Sequence, residues 1–195
     1  MIYNCMTKKI ALTGHTRGIG KALADIFTAQ GYDVVGYSKS NGYDIGDQST
    51  RSNVLEQTKN FDIFINNAYH PVGQTALLDS VITQWNETNK LIINISSKMV
   101  HYTLSGFEDY VSAKTKQNEI VKSRVFTNKP KILNIIVGAV DTDMAKVWLS
   151  KKINPVDLAN FIYEMVKYQD ILAVQEVTID VPGLKWSEIE LCQTQ

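Results

Sequence analysis

The chain has 195 residues, 44% hydrophobic and 21% charged, and its 20 Lys plus Arg balance 20 Asp plus Glu, so the formal net charge is zero. This is the composition of a globular chain forming one domain over residues 1–195, and nothing in its charge favours nucleic acid or an anionic membrane as partner. Cys5 and Cys192 form no metal-type cluster and no disulfide framework, no apolar run approaches the ~20 residues that span a bilayer, and Met1–Thr7 is too short and polar for a signal peptide, so a cytoplasmic protein without a metal site is expected.

The first predicted element is a strand over Lys9–Leu12, leading into Thr13-Gly14-His15-Thr16-Arg17-Gly18-Ile19-Gly20. A helix follows over Gly18–Gln30, where Ala22, Leu23, Ile26, Phe27 and Gln30 keep the helical period and Gly31 is placed as C-cap. Glycines at a strand-to-helix turn let backbone N–H groups and the helix N-terminus meet a pyrophosphate closely. Taken alone, such a turn is common in α/β proteins.

A second strand, Asp33–Tyr37, ends in Ser38-Lys39-Ser40 with no Asp or Glu. An acid at this position selects NAD, whereas nearby bases suit the 2′-phosphate of NADP. Lys39 and Arg17 therefore favour NADP(H) over NAD(H), against the plainer reading of Lys39 as a solvated side chain. A weak strand is expected at Tyr43–Ile45, then a helix over Gln48–Lys59, a strand over Asp62–Asn66, a helix over Gln74–Asn89 and a strand over Leu91–Ile95. The remaining elements are a helix over Tyr110–Phe126, a strand over Lys131–Val137, a helix over Pro155–Tyr168 with Asn154 as N-cap, and a strand over Val177–Val181. Strands alternating with helices predict an α/β, doubly wound, mostly parallel sheet (a Rossmann fold) that binds ligands at its carboxyl edge.

The strand at Leu91 runs into Ser96-Ser97, and Tyr110-Val111-Ser112-Ala113-Lys114 follows. On a helix, Tyr110 and Lys114 share a face. A tyrosine that protonates a carbonyl oxygen needs a pKa near the working pH, and a neighbouring cation lowers it from about 10. Lys114 is the expected cation, and Ser97 would hydrogen-bond the reacting oxygen. Tyr163 and Lys167 repeat the spacing but lack a serine-ended strand before them, so Tyr163 is read as an ordinary helix residue.

Together these motifs resemble the short-chain dehydrogenase/reductase family, from about Lys9 to Gly183. Thr13–Gly20 resembles the cofactor loop, and Asp44 the aspartate that meets the adenine amine. Asn66-Asn67-Ala68 is similar to the family's Asn-Asn-Ala-Gly, and Val137–Thr142 to its Pro-Gly-x-x-x-Thr segment. The resemblance implies a catalytic Ser97, Tyr110 and Lys114. It implies a cofactor set of Gly14, Thr16, Arg17, Gly18, Ile19, Gly20, Ser38, Lys39, Asp44, Asn67, Ala68, Tyr110, Lys114 and Thr142, with Thr142 at the nicotinamide carboxamide. It also implies a small carbonyl or alcohol substrate and leaves a homo-oligomer open.

Four departures stand out. Tyr69 replaces a glycine, and Val137 replaces a proline. Only one helix fits between Asn67 and Ser97, where the family has two, so no equivalent of its water-anchoring asparagine is assigned. The short segment after Thr142 predicts an open site. Two readings follow: an NADP-dependent carbonyl or alcohol oxidoreductase, or a catalytically weak NADP-binding sensor or subunit. His15 is placed near the ribose or phosphate without a catalytic role, His70, after Tyr69 at the strand end, is read as filler rather than as lining the site, and neither His70 nor His101 has a Cys partner. Trp85, Trp148 and Trp186 are read as core or interface residues, with Trp148 able to wall a substrate pocket.

Overall fold

A computed structural model describes residues 7–102, 105–124, 129–148 and 150–183. Met1–Met6 with Cys5, the end of the predicted fourth helix at Phe126, and Trp186 and Cys192 lie outside the described residues. The elements run β1 (Lys9–Thr13), α1 (Gly18–Ala29), β2 (Asp33–Tyr37), α2 (Gln48–Thr58), β3 (Ile63–Asn66), α3 (Gly73–Gln84), β4 (Leu91–Ser97), α4 (Glu108–Arg124), β5 (Lys131–Val137), α5 (Pro155–Tyr168) and β6 (Glu176–Ile179). All strand pairs are parallel, in the order β2-β1-β3-β4-β5-β6. The winding reverses between β1 and β3, which opens a crevice at the carboxyl ends of those strands.

Alternation along each strand divides the core into two layers. Ile10, Leu12, Ile65, Ile93 and Ile135 face Leu23 and Phe27 of α1 and Leu158 and Ile162 of α5. Ala11, Phe64, Ile92 and Ile132 face Val54 of α2, Leu77, Leu78 and Val81 of α3, and Val121 of α4. Each such fully buried aliphatic or aromatic side chain contributes about 1.5–3 kcal/mol. Two predicted caps are present: Gly31 has φ +84 just past α1, and the Asn154 side chain accepts from the Val156 N–H at 2.8 Å.

Tyr43–Ile45 is not a strand. A 3₁₀ turn over Lys39–Asn41 redirects the chain, the Tyr43 N–H donates to the Ser38 carbonyl at 2.8 Å, and the Asp44 carboxylate accepts from the Gly46 N–H at 2.9 Å. Ile45 is apolar because it plugs the core from a loop. α3 stops at Gln84 rather than Asn89, because the chain turns at Glu87 with φ +61. β4 continues past Ile95 to Ser97, since Ser96 and Ser97 still pair with Ile136 and Val137. β6 begins at Glu176 and ends at Ile179, although Val181 is still buried against the core.

A polar row crosses this sheet on the α3–α4 side. Asn66, Asn94, Asn134 and Glu176 are adjacent in register on β3, β4, β5 and β6. Asn66 Nδ2 donates to Asn94 Oδ1 at 3.0 Å, Asn94 Nδ2 to Asn134 Oδ1 at 2.8 Å, and Asn134 Nδ2 to Glu176 Oε2 at 3.0 Å. Each asparagine is fully buried, so each amide depends on its neighbours for partners. Among the described residues, no helix is long and apolar enough to cross a membrane.

Candidate active site

The glycine loop is spliced to β3 by Thr13, the first residue of the motif, to which the sequence reading gave no role of its own. Thr13 Oγ1 accepts from the N–H groups of Asn67 at 2.9 Å and Ala68 at 3.0 Å, and donates to the Ile65 carbonyl at 3.3 Å. Asn67 Nδ2 answers by donating to the carbonyls of Thr13 and Gly14, at 3.0 and 3.3 Å. Gly20 allows the close approach: a Cβ there would lie 2.0 Å from the Gly14 carbonyl oxygen and 2.6 Å from Asn67 Nδ2. Gly18 has φ +53, and a Cβ would stand 2.9 Å from Thr142 Cγ2, so the fold brings Thr142 from beyond β5 onto the glycine loop. Thr16 is exposed, while Ile19 packs its side chain on the core. α1 starts at Gly18 with no side-chain cap on Arg17 and no acid in its first turn, which leaves its N-terminal amides and dipole facing the crevice.

On the β2 side, Ser38 is buried, donates its N–H to Asn41 Oδ1 at 2.8 Å, and has its hydroxyl 2.9 Å from that of Ser40. Lys39 Nζ lies 2.9 Å from Asp44 Oδ2, and the Lys39 ammonium and the Gly46 N–H hold the Asp44 carboxyl below its ordinary range. Arg17 stands 3.7 Å from Asp143, which also pairs with Lys146. Both expected phosphate-binding cations thus already have a carboxylate neighbour. The His15 ring fills the space left by Gly36, where a Cβ would come within 2.1 Å of the imidazole Cγ, and His15 Nδ1 is buried with no hydrogen-bond partner.

Ser97 ends β4, and Tyr110 and Lys114 lie one turn apart on α4. Burial pushes the pKa of the Tyr110 phenol up, against the opposing pull of the Ser97 side chain beside it. This reverses the expected lowering. The reason is the position of Lys114, whose ammonium points into the core and donates to the Ile95 carbonyl at 2.7 Å, Gln74 Oε1 at 2.9 Å and Gln117 Oε1 at 3.3 Å. Burial pulls the Lys114 amine down to about 7. Its Nζ sits 5.9 Å from the ring centroids of both Tyr110 and Tyr69, whose rings are tilted together at 4.9 Å.

Beside Tyr110 lies a small apolar cluster containing Met99, Ala139, Ala145 and Trp148, with Phe107 stacked on Trp148 at 5.6 Å. Trp148 is buried in this cluster, whereas Trp85 belongs to the core beneath α3. His70 caps α3: its Nδ1 accepts from the Gly73 N–H at 2.9 Å and the Val72 N–H at 3.3 Å. His101 is exposed at the end of a short 3₁₀ turn. Tyr163 donates to Gln30 Oε1 at 3.0 Å and meets Phe27 edge-on, so it joins α5 to α1 away from Ser97. Tyr69, Gln74 and Gln117 are the contacts of the site that motif reading did not assign; only the missing glycine at Tyr69 marked any of them in advance.

A reversing parallel sheet with an uncapped helix N-terminus at its crevice places the molecule in the doubly wound α/β class. No family model matches the sequence, and no curated protein does. Solved structures do match. A short-chain dehydrogenase from Streptomyces avermitilis superposes with a TM-score of 0.71 at 18% identity, over 91% of this chain and 89% of that one. One from Burkholderia cenocepacia J2315, in complex with NADP, gives 0.74 at 15% identity over 90% and 89%. A 4-hydroxyisoleucine dehydrogenase complexed with NADH gives 0.77 at 17% identity over 89% and 97%. The chain has the fold of the short-chain dehydrogenases/reductases.

Proposed function

We propose that the chain is an NADP(H)-dependent oxidoreductase of the short-chain dehydrogenase/reductase family, interconverting a small carbonyl compound and its alcohol. The observation that carries this reading is the meeting of Ser97, at the end of β4, with Tyr110, together with the Lys114 amine buried 5.9 Å from the Tyr110 ring. The residues fit a dinucleotide: the α1 N-terminus is uncapped, Gly18 and Gly20 bring the loop, Asn67 and Thr142 into contact, and a buried imidazole nitrogen of His15 is unpartnered at the β2 side. The α1 amides would take the pyrophosphate, Ser38 and Lys39 the adenosine end, and Thr142 the carboxamide.

When bound, the reduced nicotinamide supplies a hydride, with its electron pair, to the carbonyl carbon. Tyr110 then gives its phenolic proton to the carbonyl oxygen, which yields the alcohol and leaves a tyrosinate that is reprotonated from solvent. Ser97 orients that oxygen and stabilises its developing charge. Lys114 contributes positive charge below the Tyr110 ring. Trp148 and Phe107 offer an apolar wall for the substrate. Arg17 and Lys39 support NADP(H) over NAD(H), with Lys39 exchanging Asp44 for the 2′-phosphate.

The test is calorimetry with NADPH and NADH, followed by NADPH oxidation against aldehydes, ketones and quinones. Tighter NADPH binding with turnover of at least one carbonyl is expected. Replacing Arg17 and Lys39 together by alanine should weaken NADPH by about ten- to a hundredfold while sparing NADH. Clear NADPH binding with no turnover of any carbonyl supports the sensor or subunit reading instead.

A further inference from the structure

We infer that Gln74 is a positioning residue of this site: its side-chain amide, brought in from α3, holds the Lys114 ammonium in place beside Tyr110 and Tyr69. The inference rests on the reading of Tyr110 and Lys114 as the reacting end of the site. An ammonium has three protons, and all three of Lys114's have an acceptor: Gln74 Oε1 at 2.9 Å, the Ile95 carbonyl at 2.7 Å and Gln117 Oε1 at 3.3 Å. Every one of these acceptors is neutral, and among the described residues no carboxylate pairs with Lys114. The titratable groups facing it are the phenols of Tyr69 and Tyr110.

The orientation of Gln74 is over-determined. Its Nε2 donates to the Asn66 carbonyl at 3.2 Å and the Ile95 carbonyl at 3.5 Å, and its own main-chain carbonyl accepts from Asn66 Nδ2 at 3.3 Å. Turning the amide over would set an NH₂ group against the ammonium and an oxygen against two carbonyl oxygens. Lys114, Gln74 and the Ile95 carbonyl therefore close a three-membered ring of hydrogen bonds, and through Asn66 that ring is tied to the asparagine row of the sheet. The choice of an amide has a consequence. A carboxylate would hold the lysine equally well but cancel its charge, whereas glutamine leaves the positive field available to the phenol.

The test uses Gln74→Glu, which keeps shape and adds charge, and Gln74→Met, which keeps volume and removes the acceptor. Lys114 is titrated in the cofactor-free protein by NMR of Cε-labelled lysine, with thermal melts run in parallel. The Lys114 midpoint should rise in Gln74→Glu and fall in Gln74→Met by at least about one pH unit, a tenfold change in protonation ratio. In the same variants kcat for carbonyl reduction should fall with KM for NADPH held. Midpoints that coincide with wild type in both variants, beside lowered melting temperatures, would show that Gln74 only packs. The midpoints test the contact even if the wild type turns over no carbonyl, and that second result would overturn the oxidoreductase reading rather than the contact. Shifted midpoints with kcat unchanged in an active enzyme would overturn the positioning role itself.

Discussion

At the residue scale, the proposed chemistry concentrates on one hydroxyl. Tyr110→Phe keeps the ring against Tyr69 and removes only the proton donor. Steady-state kinetics should show kcat reduced by roughly 10²–10⁴-fold with NADPH affinity little changed. Tyr163→Phe is the internal control, because its phenol bonds Gln30 between α1 and α5, and its kcat should match wild type. A second residue-scale expectation concerns Asp44, which occupies the ammonium that the 2′-phosphate needs. Asp44→Asn frees Lys39, so the ratio of NADH to NADPH dissociation constants should rise; the ratio cancels any adenine contact common to both cofactors. An unchanged or lower ratio in calorimetry would remove Lys39 from phosphate recognition.

At the element scale, two devices hold the site. One is the close approach of α1 to the loop after β3. Gly20→Ala puts a methyl 2.0 Å from the Gly14 carbonyl oxygen, so backbone must move. Overpacking of this kind costs about 1–3 kcal/mol, and chemical denaturation should register a loss of that size together with weakened cofactor binding. The other is the asparagine row. Asn94→Leu removes one of the two acceptors of Asn66 Nδ2, which keeps the Gln74 carbonyl, and leaves Asn134 Oδ1 buried without its partner, at about 1–3 kcal/mol for the orphaned group; it should lower the denaturation midpoint with an unchanged m-value. The glycine loop was legible in the chain because its spacing is local. The Asn66–Asn94–Asn134 row was not, because its members lie 28 and 40 residues apart and meet only through strand register.

At the scale of the whole molecule, burying Lys114 couples folding to pH. The amine titrates near 7 in the folded chain against an ordinary 10.5. Below pH 7 the lysine is protonated in both states, and the full cost of burying a cation weighs against folding. Between 7 and 10.5 only the unfolded chain binds this proton, so stability rises with pH. Urea unfolding of wild type, measured relative to Lys114→Met, should therefore show a stability difference that grows toward alkaline pH, with a slope approaching about 1.4 kcal/mol per pH unit. A flat difference from pH 7 to 10 would place Lys114 in contact with water or an anion in solution.

The alternation of strand and helix, the loop from Gly14 to Gly20, and the sequence spacing of Ser97, Tyr110 and Lys114 were readable in the chain alone. Each depends on backbone periodicity or on neighbours within a turn or two, and local propensity determines those. The same local logic failed at Tyr43–Ile45, where Ile45, with Tyr43 beside it, plugs the core from a loop without pairing. It failed again at Lys114. Helical spacing predicted an ammonium set to lower the phenol's pKa, and it could not foresee that Gln74 from α3 and the Ile95 carbonyl from β4 draw that ammonium inward. Only tertiary structure decided the acceptors of Lys114 and the meeting of Thr142 with Gly18. These contacts form between segments that nothing joins until the sheet assembles. Burial then magnifies their electrostatics where the interior excludes water, as it does at Lys114.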